Sequence, residues 1–163
     1  MHARRFLASV AVLASALSLA AGLPRADAAP ADRPGPAAAR SAALDYAADA
    51  HVATNRQRTT RGVAALGRHQ CLTTLALRQA QAMAGRGELF HQDLAGVQRR
   101  CGMGWVGENV AYGFPDGLAV VRGWMDSPGH RRNLLRPQFR LEGIGAVQRD
   151  GVWYVAQVFG TRA

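Results

Sequence analysis

Apolar residues in the first half of the chain recur at the period of a helix. The pattern predicts a first helix that is capped by Ser41 and ended by Gly62. A second helix is expected to start near Gln70 and to stop at Gly85 and Gly87. The first helix is predicted to bury one face, which is formed by Leu44, Ala48, Val52 and Asn55. The second is predicted to bury another: Leu72, Leu75, Ala76, Gln79, Ala80 and Met83.

The second half of the chain contains two further signals for the start of a helix. Asp116 is expected to cap a third helix that runs to Met125, and Ser127 followed by proline marks a short fourth one. The third helix is expected to bury Val120, Val121 and Trp124. Residues 88–105 have no clean period, which predicts a loop with about one turn of helix near residues 94–100.

Near the end of the chain the period changes to that of a strand. Two alternating runs, 144–148 and 152–158, flank Asp150 and Gly151, the pair that most strongly favours a two-residue hairpin turn. A further strand is expected at residues 108–112. The sum is a set of helices packed on a small antiparallel sheet, which is an α+β fold.

The first 28 residues have the three parts of a secretory signal. A basic start at residues 1–5 precedes an apolar run at residues 6–23, and Ala26-Asp27-Ala28 is a small-x-small cleavage site. An uncleaved anchor is the alternative, but the run is rich in alanine and is followed by a proline. Residues 29–40 hold three prolines and no large apolar side chain, which predicts a linker before one domain at residues 41–163. After cleavage no segment is expected to span a membrane.

Every basic side chain other than histidine is an arginine, and the chain carries a net charge of +9. A basic exported protein would attract anionic polymers or lipid headgroups outside the cell. The arginines are scattered, apart from pairs at residues 99–100 and 131–132, and no stripe with interleaved aromatic residues appears. Nucleic acid is therefore excluded as a partner. Arg131 and Arg132 either contact an anionic ligand or are simply solvated. We expect a monomer.

Two cysteines, Cys71 and Cys101, lie in the exported part of the chain. An even number in an oxidising compartment predicts a disulfide, which would stabilise the fold by about 3 to 4 kcal/mol. Two separate buried thiols are the alternative. A thiolate zinc site is not expected, because there is no third sulfur ligand.

Three polar residues are candidates for a functional site. Glu108 and His130 each follow a glycine within a turn signal, and His91 lies just beyond the end of the second predicted helix. Two imidazoles and a carboxylate form a familiar set of ligands for zinc. The alternative is that each histidine is a hydrogen-bonded structural residue.

His130 is expected in the first turn of the short fourth helix. The positive end of a helix disfavours the imidazolium form, so a neutral ring that binds a cation or accepts a proton is predicted. Three other residues of the motif segments are predicted to have structural roles: Asn55, Asn109 and Trp124. Asn109 is expected to fix its loop through bonds to the backbone, and Trp124 to lie in the core.

Several motifs resemble those of one protein family and occur in the same order along the chain. They are Asn55-x-x-Arg58, His91 after a helix, Gly107-Glu-Asn-Val-Ala-x-Gly113, Trp124 to Leu135 with its Ser-Pro-Gly-His-Arg run, Gly143-Ile-Gly145, and Gln157 to Gly160. The order is similar to that of the bacterial branch of the CAP superfamily, the cysteine-rich secretory protein, antigen 5 and pathogenesis-related 1 group. The likeness extends over residues 44–160.

This resemblance implies an α-β-α sandwich in which His91, Glu108 and His130 meet in one open cleft. In animal and plant members the cleft holds two histidines and two acidic residues and can bind a divalent cation. Here the fourth position is Ser127, which removes one carboxylate. A three-residue set can still hold a metal such as zinc with water completing the coordination.

Three functions are open at this stage. The first is a secreted binding module whose cleft accepts a small ligand, a lipid or a divalent cation at the cell envelope or outside it, with no catalytic residue. The second is a hydrolase that uses a metal-bound water, or a water activated by His130 with Glu108 orienting it. The third is an interaction factor whose basic face binds an anionic envelope polymer.

Overall fold

The structure is a computed structural model that describes residues 35–163, and these form five helices around one four-stranded sheet. The predicted signal segment and most of the predicted linker lie outside the described residues. The elements follow in this order: α1 Pro36–Thr59, β1 Gly67–Arg68, α2 Gln70–Arg86, α3 Leu94–Cys101, β2 Met103–Tyr112, α4 Gly117–Asp126, α5 Pro128–Leu135, β3 Leu141–Arg149 and β4 Val152–Arg162. None of the helices within residues 35–163 has the length and apolar content needed to cross a bilayer.

The strands are ordered β1-β3-β4-β2 across the sheet. The predicted hairpin is confirmed: β3 and β4 pair antiparallel, and their turn places Asp150 and Gly151 at φ values of 49° and 78°. Strand β2 pairs antiparallel with β4 and begins at Met103, so the loop predicted up to residue 105 ends earlier than expected. The two-residue β1 was not predicted and pairs parallel with β3.

Two hydrophobic cores lie on opposite faces of the sheet. One core joins the sheet to α1, α4 and α5, and includes Tyr46, Trp124 and Phe139. The other joins it to α2 and α3, and includes Leu72 and Val97. Helices on both faces of a mainly antiparallel sheet make the predicted α-β-α sandwich.

Helix α1 differs from its prediction in two respects. It begins at Pro36, with proline at the first helical position, so Ser41 lies inside the helix and does not cap it. The predicted inward stripe is also wrong, because Leu44 and Val52 are each 62% exposed. The helix instead buries four residues on another face: Tyr46, Ala50, Thr54 and Arg58.

The buried Arg58 explains why apolar spacing misplaced this face. Its guanidinium donates to the carbonyl oxygen atoms of Ala64, Leu134 and Phe139 at 2.6 to 2.9 Å, and to that of Arg136 at 3.1 Å. A buried charge is tolerated when its donors are satisfied in this way. The C-terminal part of α1 is therefore fixed to the link between α5 and β3 by polar contacts.

A second polar network ties the middle of α1 to the sheet. Nδ1 of His51 lies 2.5 Å from Oε1 of the buried Glu142, whose other oxygen accepts from the amide of Gln157 at 2.6 Å. That amide also donates to Thr54 at 3.0 Å. Asn55 exchanges two hydrogen bonds with the backbone of Leu66, which confirms its predicted structural role.

Helix α2 buries the predicted stripe in full. It lies close against β3 because Gly143 and Gly145 have no side chain. A Cβ atom on Gly143 would stand 2.0 Å from the backbone nitrogen of Thr73, and one on Gly145 would stand 2.3 Å from the backbone of Leu77. The Gly-Ile-Gly motif is thus a packing requirement of the α2 layer.

The predicted disulfide is present between Cys71 and Cys101, with their Cα atoms 5.7 Å apart. It links the first turn of α2 to the last residue of α3. The segment between these cysteines includes His91, so the bond closes the covalent loop that carries this residue.

Candidate functional site

His91 lies in the link between α2 and α3, and three contacts hold this link in place. Gly87 ends α2 in the left-handed region at φ 71°, and its N–H bonds the carbonyl of Met83. The buried amide of Gln79 donates to the carbonyl of Phe90 at 2.5 Å. The Arg86 guanidinium lies over the ring of Phe90, 4.6 Å from its centroid. The residue before His91 is therefore anchored at both its backbone and its ring.

Glu108 lies in the middle of strand β2, where it pairs with Val158 of β4. The strand predicted at residues 108–112 is thus present, and it extends through Gly107, where a turn signal was assigned. Gly107 is required for packing instead, because a Cβ atom there would stand 2.8 Å from the ring of Phe139. The Glu108 side chain is fully buried, although one of its partners reaches the surface.

Three donors satisfy the Glu108 carboxylate. Nδ1 of His91 lies 2.7 Å from Oε2, and the backbone N–H of Gln92 donates to the same oxygen at 3.3 Å. The side-chain amide of Gln92 donates to Oε1 at 2.6 Å. These hydrogen bonds compensate the carboxylate for the water that it loses on burial.

The Glu108 carboxylate fixes the tautomer of His91. An ionised carboxylate only accepts hydrogen bonds, so in the neutral His91 ring the proton is on Nδ1 and Nε2 carries the lone pair. The His91 side chain is 57% exposed, in contrast to its fully buried partner. The pair therefore presents an oriented imidazole with a free Nε2 acceptor.

His130 is the third residue of α5, which begins after Ser127 as predicted. Two asparagines attach this helix to β2. The Asn109 amide donates to the carbonyl of His130 at 3.3 Å, and the Asn133 amide donates to the Glu108 carbonyl and to the Asn109 side chain, both at 3.1 Å. Asn109 is fully buried and links a helix to a strand, not the two sides of a loop.

The electrostatic setting of His130 keeps its ring neutral. Burial lowers the pKa of His130, and the positive charge that His91 carries when it is protonated lowers it further. The backbone of His130 is also linked to this part of β2, because the Asn109 amide that bonds its carbonyl directly follows Glu108, the partner of His91. Trp124, in the helix before, lies in the core and donates from its indole to the carbonyl of Val110 at 3.4 Å, as predicted.

The Glu108 carboxylate, one of the three predicted metal ligands, is occupied by hydrogen bonds in this structure. Both Glu108 oxygens already accept hydrogen bonds, and residues 35–163 contain no cluster of three or more His, Cys, Asp or Glu residues that could hold a metal ion. Ser127 holds the N-cap position of α5, but its side chain makes no capping bond in the described chain. Arg131 and Arg132 are exposed.

Gln92 and Asn133 also belong to the site, although neither was among its predicted residues. Gln92 supplies two of the three donors to Glu108, and Asn133 contacts the backbone of the same residue. Gln92 directly follows His91, and Asn133 is three residues after His130. The proximity of both to the candidate residues is the only signal of their roles in the sequence.

A model of the CAP, or cysteine-rich secretory protein, family matches residues 51–159. The chain belongs to this family. Its Bacillus subtilis relative YkwD is 31% identical over 107 residues, which is 61% of this chain and 42% of YkwD. The CAP match includes every candidate site residue.

Solved structures share the CAP fold. An extracellular protein with an SCP domain from Bacillus anthracis is 25% identical, with a TM-score of 0.71 over 81% of this chain and 45% of the other. A cysteine-rich secretory protein from Staphylococcus aureus is 24% identical, with a TM-score of 0.63 over 74% and 40%. An outer surface protein from Borrelia burgdorferi is 18% identical, with a TM-score of 0.64 over 69% and 90%. The chain thus spans less than half of YkwD and of the Bacillus anthracis protein.

Proposed function

We propose that this CAP domain is exported and binds a small ligand at a cleft formed by His91, Glu108 and His130. The observation that carries the proposal is the contact between the buried Glu108 carboxylate and the exposed His91 ring. A contact to an exposed side chain contributes little to stability, and burial of a carboxylate is costly, so stability alone does not account for this pair. Here a buried charge is used to orient an imidazole that remains accessible.

The chemistry of the two rings defines the ligand class. His91 offers Nε2 as an acceptor, and the lowered pKa of His130 keeps a lone pair on its ring as well. Two neutral imidazoles favour a polar group with hydrogen-bond donors, such as a lipid headgroup, or a divalent cation. A cation would have the imidazoles as ligands and Glu108 as their hydrogen-bonded neighbour.

Export is supported by the predicted signal segment and by the relatives. The matching proteins from Bacillus anthracis and Borrelia burgdorferi are described as an extracellular and an outer surface protein. The disulfide between Cys71 and Cys101 suits an oxidising compartment. The proposed place of action is the outside of the cell or the cell envelope.

Calorimetry on the purified domain tests the cleft, with Zn²⁺ and a panel of micellar phospholipids as probes. His91→Ala and His130→Ala are each expected to weaken binding of the probe that the wild-type domain binds by at least about tenfold. His69→Ala is the matched control, because His69 precedes the opposite end of α2 from His91. Equal binding by the wild type and both cleft variants, or no binding of any probe by the wild type, would contradict the proposal.

The same contact supports a hydrolase as the second candidate. A carboxylate that orients a histidine through Nδ1 leaves Nε2 able to take a proton from water. Glu108 is bonded to His91 in this structure, whereas it was predicted to orient His130. Turnover of ester or peptide substrates that is lost in both His91→Ala and Glu108→Gln would favour catalysis over binding.

A further inference from the structure

Two grooves of the domain meet at Arg136, on the side of the sheet edge formed by β2. One has a volume of about 410 Å³ and is lined by Arg131, Arg132 and Arg136 together with Leu135. The other, of about 350 Å³, is lined by Arg136, Trp105, Leu94 and Phe139 among others. Neither groove includes His91 or His130. We call the surface formed by Trp105, Arg131, Arg132 and Arg136 the Arg136 surface.

Trp105 has a backbone that is held in β2 and an aromatic side chain that is open to solvent. It lies in β2, where its backbone N–H donates to the Thr161 hydroxyl at 2.8 Å, and it is 58% exposed. The Arg136 guanidinium lies 5.8 Å from the centroid of the Trp105 ring and 5.6 Å from that of the buried Phe139. Aromatic and arginine side chains in contact with one another are typical of the energetically important centre of a binding surface.

The arginines of this surface have no acidic partner in the described chain. Within residues 35–163, Arg131, Arg132 and Arg136 form no ion pair with a carboxylate. No acidic residue lines either groove. A guanidinium that has no carboxylate of its own retains all of its attraction for a phosphate or carboxylate group of a ligand.

We propose that the Arg136 surface binds an anionic polysaccharide, with a sugar ring against Trp105 and the acidic groups of the polymer near Arg131, Arg132 and Arg136. The paired chemistry argues for this occupant, because an aromatic face suits the apolar face of a sugar ring and the guanidinium groups suit its charges. Single-stranded nucleic acid would need a series of stacking aromatic residues, and the grooves expose only Trp105. None of His91, Glu108 and His130 lines either groove, and the variants below alter none of them, so either proposal can fail without the other.

Binding of polygalacturonate oligomers, measured by calorimetry at two salt concentrations, tests the proposal. The variant Arg131→Gln/Arg132→Gln/Arg136→Gln is expected to weaken binding by at least about tenfold. A second triple variant, Arg56→Gln/Arg78→Gln/Arg122→Gln, removes the same charge from exposed positions on three other helices. This control is expected to weaken binding by less than about threefold, because long-range attraction is screened by salt.

Variants of Trp105 distinguish recognition of the sugar ring from general electrostatic attraction. Trp105→Ala is expected to weaken binding by about tenfold with an unchanged salt dependence, and Trp105→Phe to recover most of the loss. Neutral dextran is expected not to bind. Equal losses in the two triple variants would overturn the proposal, as would an unaffected Trp105→Ala. Tighter binding of a 20-nucleotide DNA strand or of phosphatidylglycerol vesicles through these residues would also overturn it.

Discussion

Glu108 and His91 are 17 positions apart in the chain, yet the carboxylate of the first accepts a hydrogen bond from Nδ1 of the second at 2.7 Å. Their surroundings are opposite, since the Glu108 side chain is fully buried and that of His91 is 57% exposed. A buried group thereby orients the imidazole of a residue at the surface. The relationship joins the α2–α3 link to the centre of β2.

Replacement of Glu108 by glutamine should change the tautomer of His91. The amide offers both a donor and an acceptor, so the preference for a proton on Nδ1 should weaken. Histidine ¹⁵N spectra of the folded domain measure this directly, and the Nδ1-protonated fraction is expected to fall in Glu108→Gln. Glu88→Gln removes the same charge at an exposed position three residues before His91 and should leave the spectrum of His91 unchanged.

The pH dependence of stability should report on His130. Burial and the charge of His91 lower the pKa of this residue below its ordinary value, so the unfolded chain binds the proton more readily than the folded one. The stabilising contribution of the neutral ring is complete above the unfolded pKa of about 6.5 and is lost as the pH falls through the folded pKa. Urea unfolding between pH 7.5 and 5 should show a smaller loss of unfolding free energy in His130→Gln than in the wild type. Identical slopes in the two proteins would contradict the assignment.

Arg58 should be among the most destabilising sites to truncate. Arg58→Ala would leave four carbonyl oxygen atoms without their donor, at a cost of about 3 to 5 kcal/mol in unfolding free energy. Its neighbour Arg56 is exposed, and Arg56→Ala should change stability by no more than about 0.5 kcal/mol. Denaturant melts of both variants provide the measurement. A loss below about 1 kcal/mol in Arg58→Ala would show that water replaces the guanidinium.

Two glycines of the α2 layer should respond in opposite directions to alanine. Gly143→Ala would force α2 away from β3, because the new Cβ atom meets the backbone of Thr73 at 2.0 Å, and a loss of about 2 to 3 kcal/mol or more is expected. Gly85, within α2, has open space around it, so Gly85→Ala should stabilise the domain by about 0.5 to 1 kcal/mol. Thermal melts distinguish the two. A neutral Gly143→Ala would mean that the layers can move apart without loss.

Helix α2, α4 and the β3–β4 hairpin could be predicted from local patterns, because most of their buried residues are apolar and because Gly87, Asp116 and the Asp150-Gly151 pair are ordinary capping and turn residues. Asp116, for example, accepts from the Ala119 N–H at 2.7 Å, as its position predicts. The buried face of α1 could not be predicted this way. Arg58 and Thr54 are polar residues that are buried only because distant segments supply their partners.

The candidate site was predictable in its residues but not in its pairings. His91, Glu108 and His130 could be selected from turn signals and from family motifs. Gly107, however, indicated a turn although its actual role is to admit the ring of Phe139, which is brought there by the fold. The contact of Gln92 with Glu108 could not be predicted either. The two residues are 16 positions apart, and their hydrogen bond depends on how β2 pairs within the fold.

The proposed function requires that His91 and His130 bind one ligand together. Histidine ¹⁵N and ¹³C spectra of the folded domain, recorded during titration with Zn²⁺ and then with a micellar phospholipid, test it most directly. We predict that the ring signals of His91 and His130 shift together at one midpoint with at least one probe, while those of His51 and His69 stay in place. Ring signals of His91 and His130 that shift with different midpoints, or that do not respond to either probe, would contradict the account.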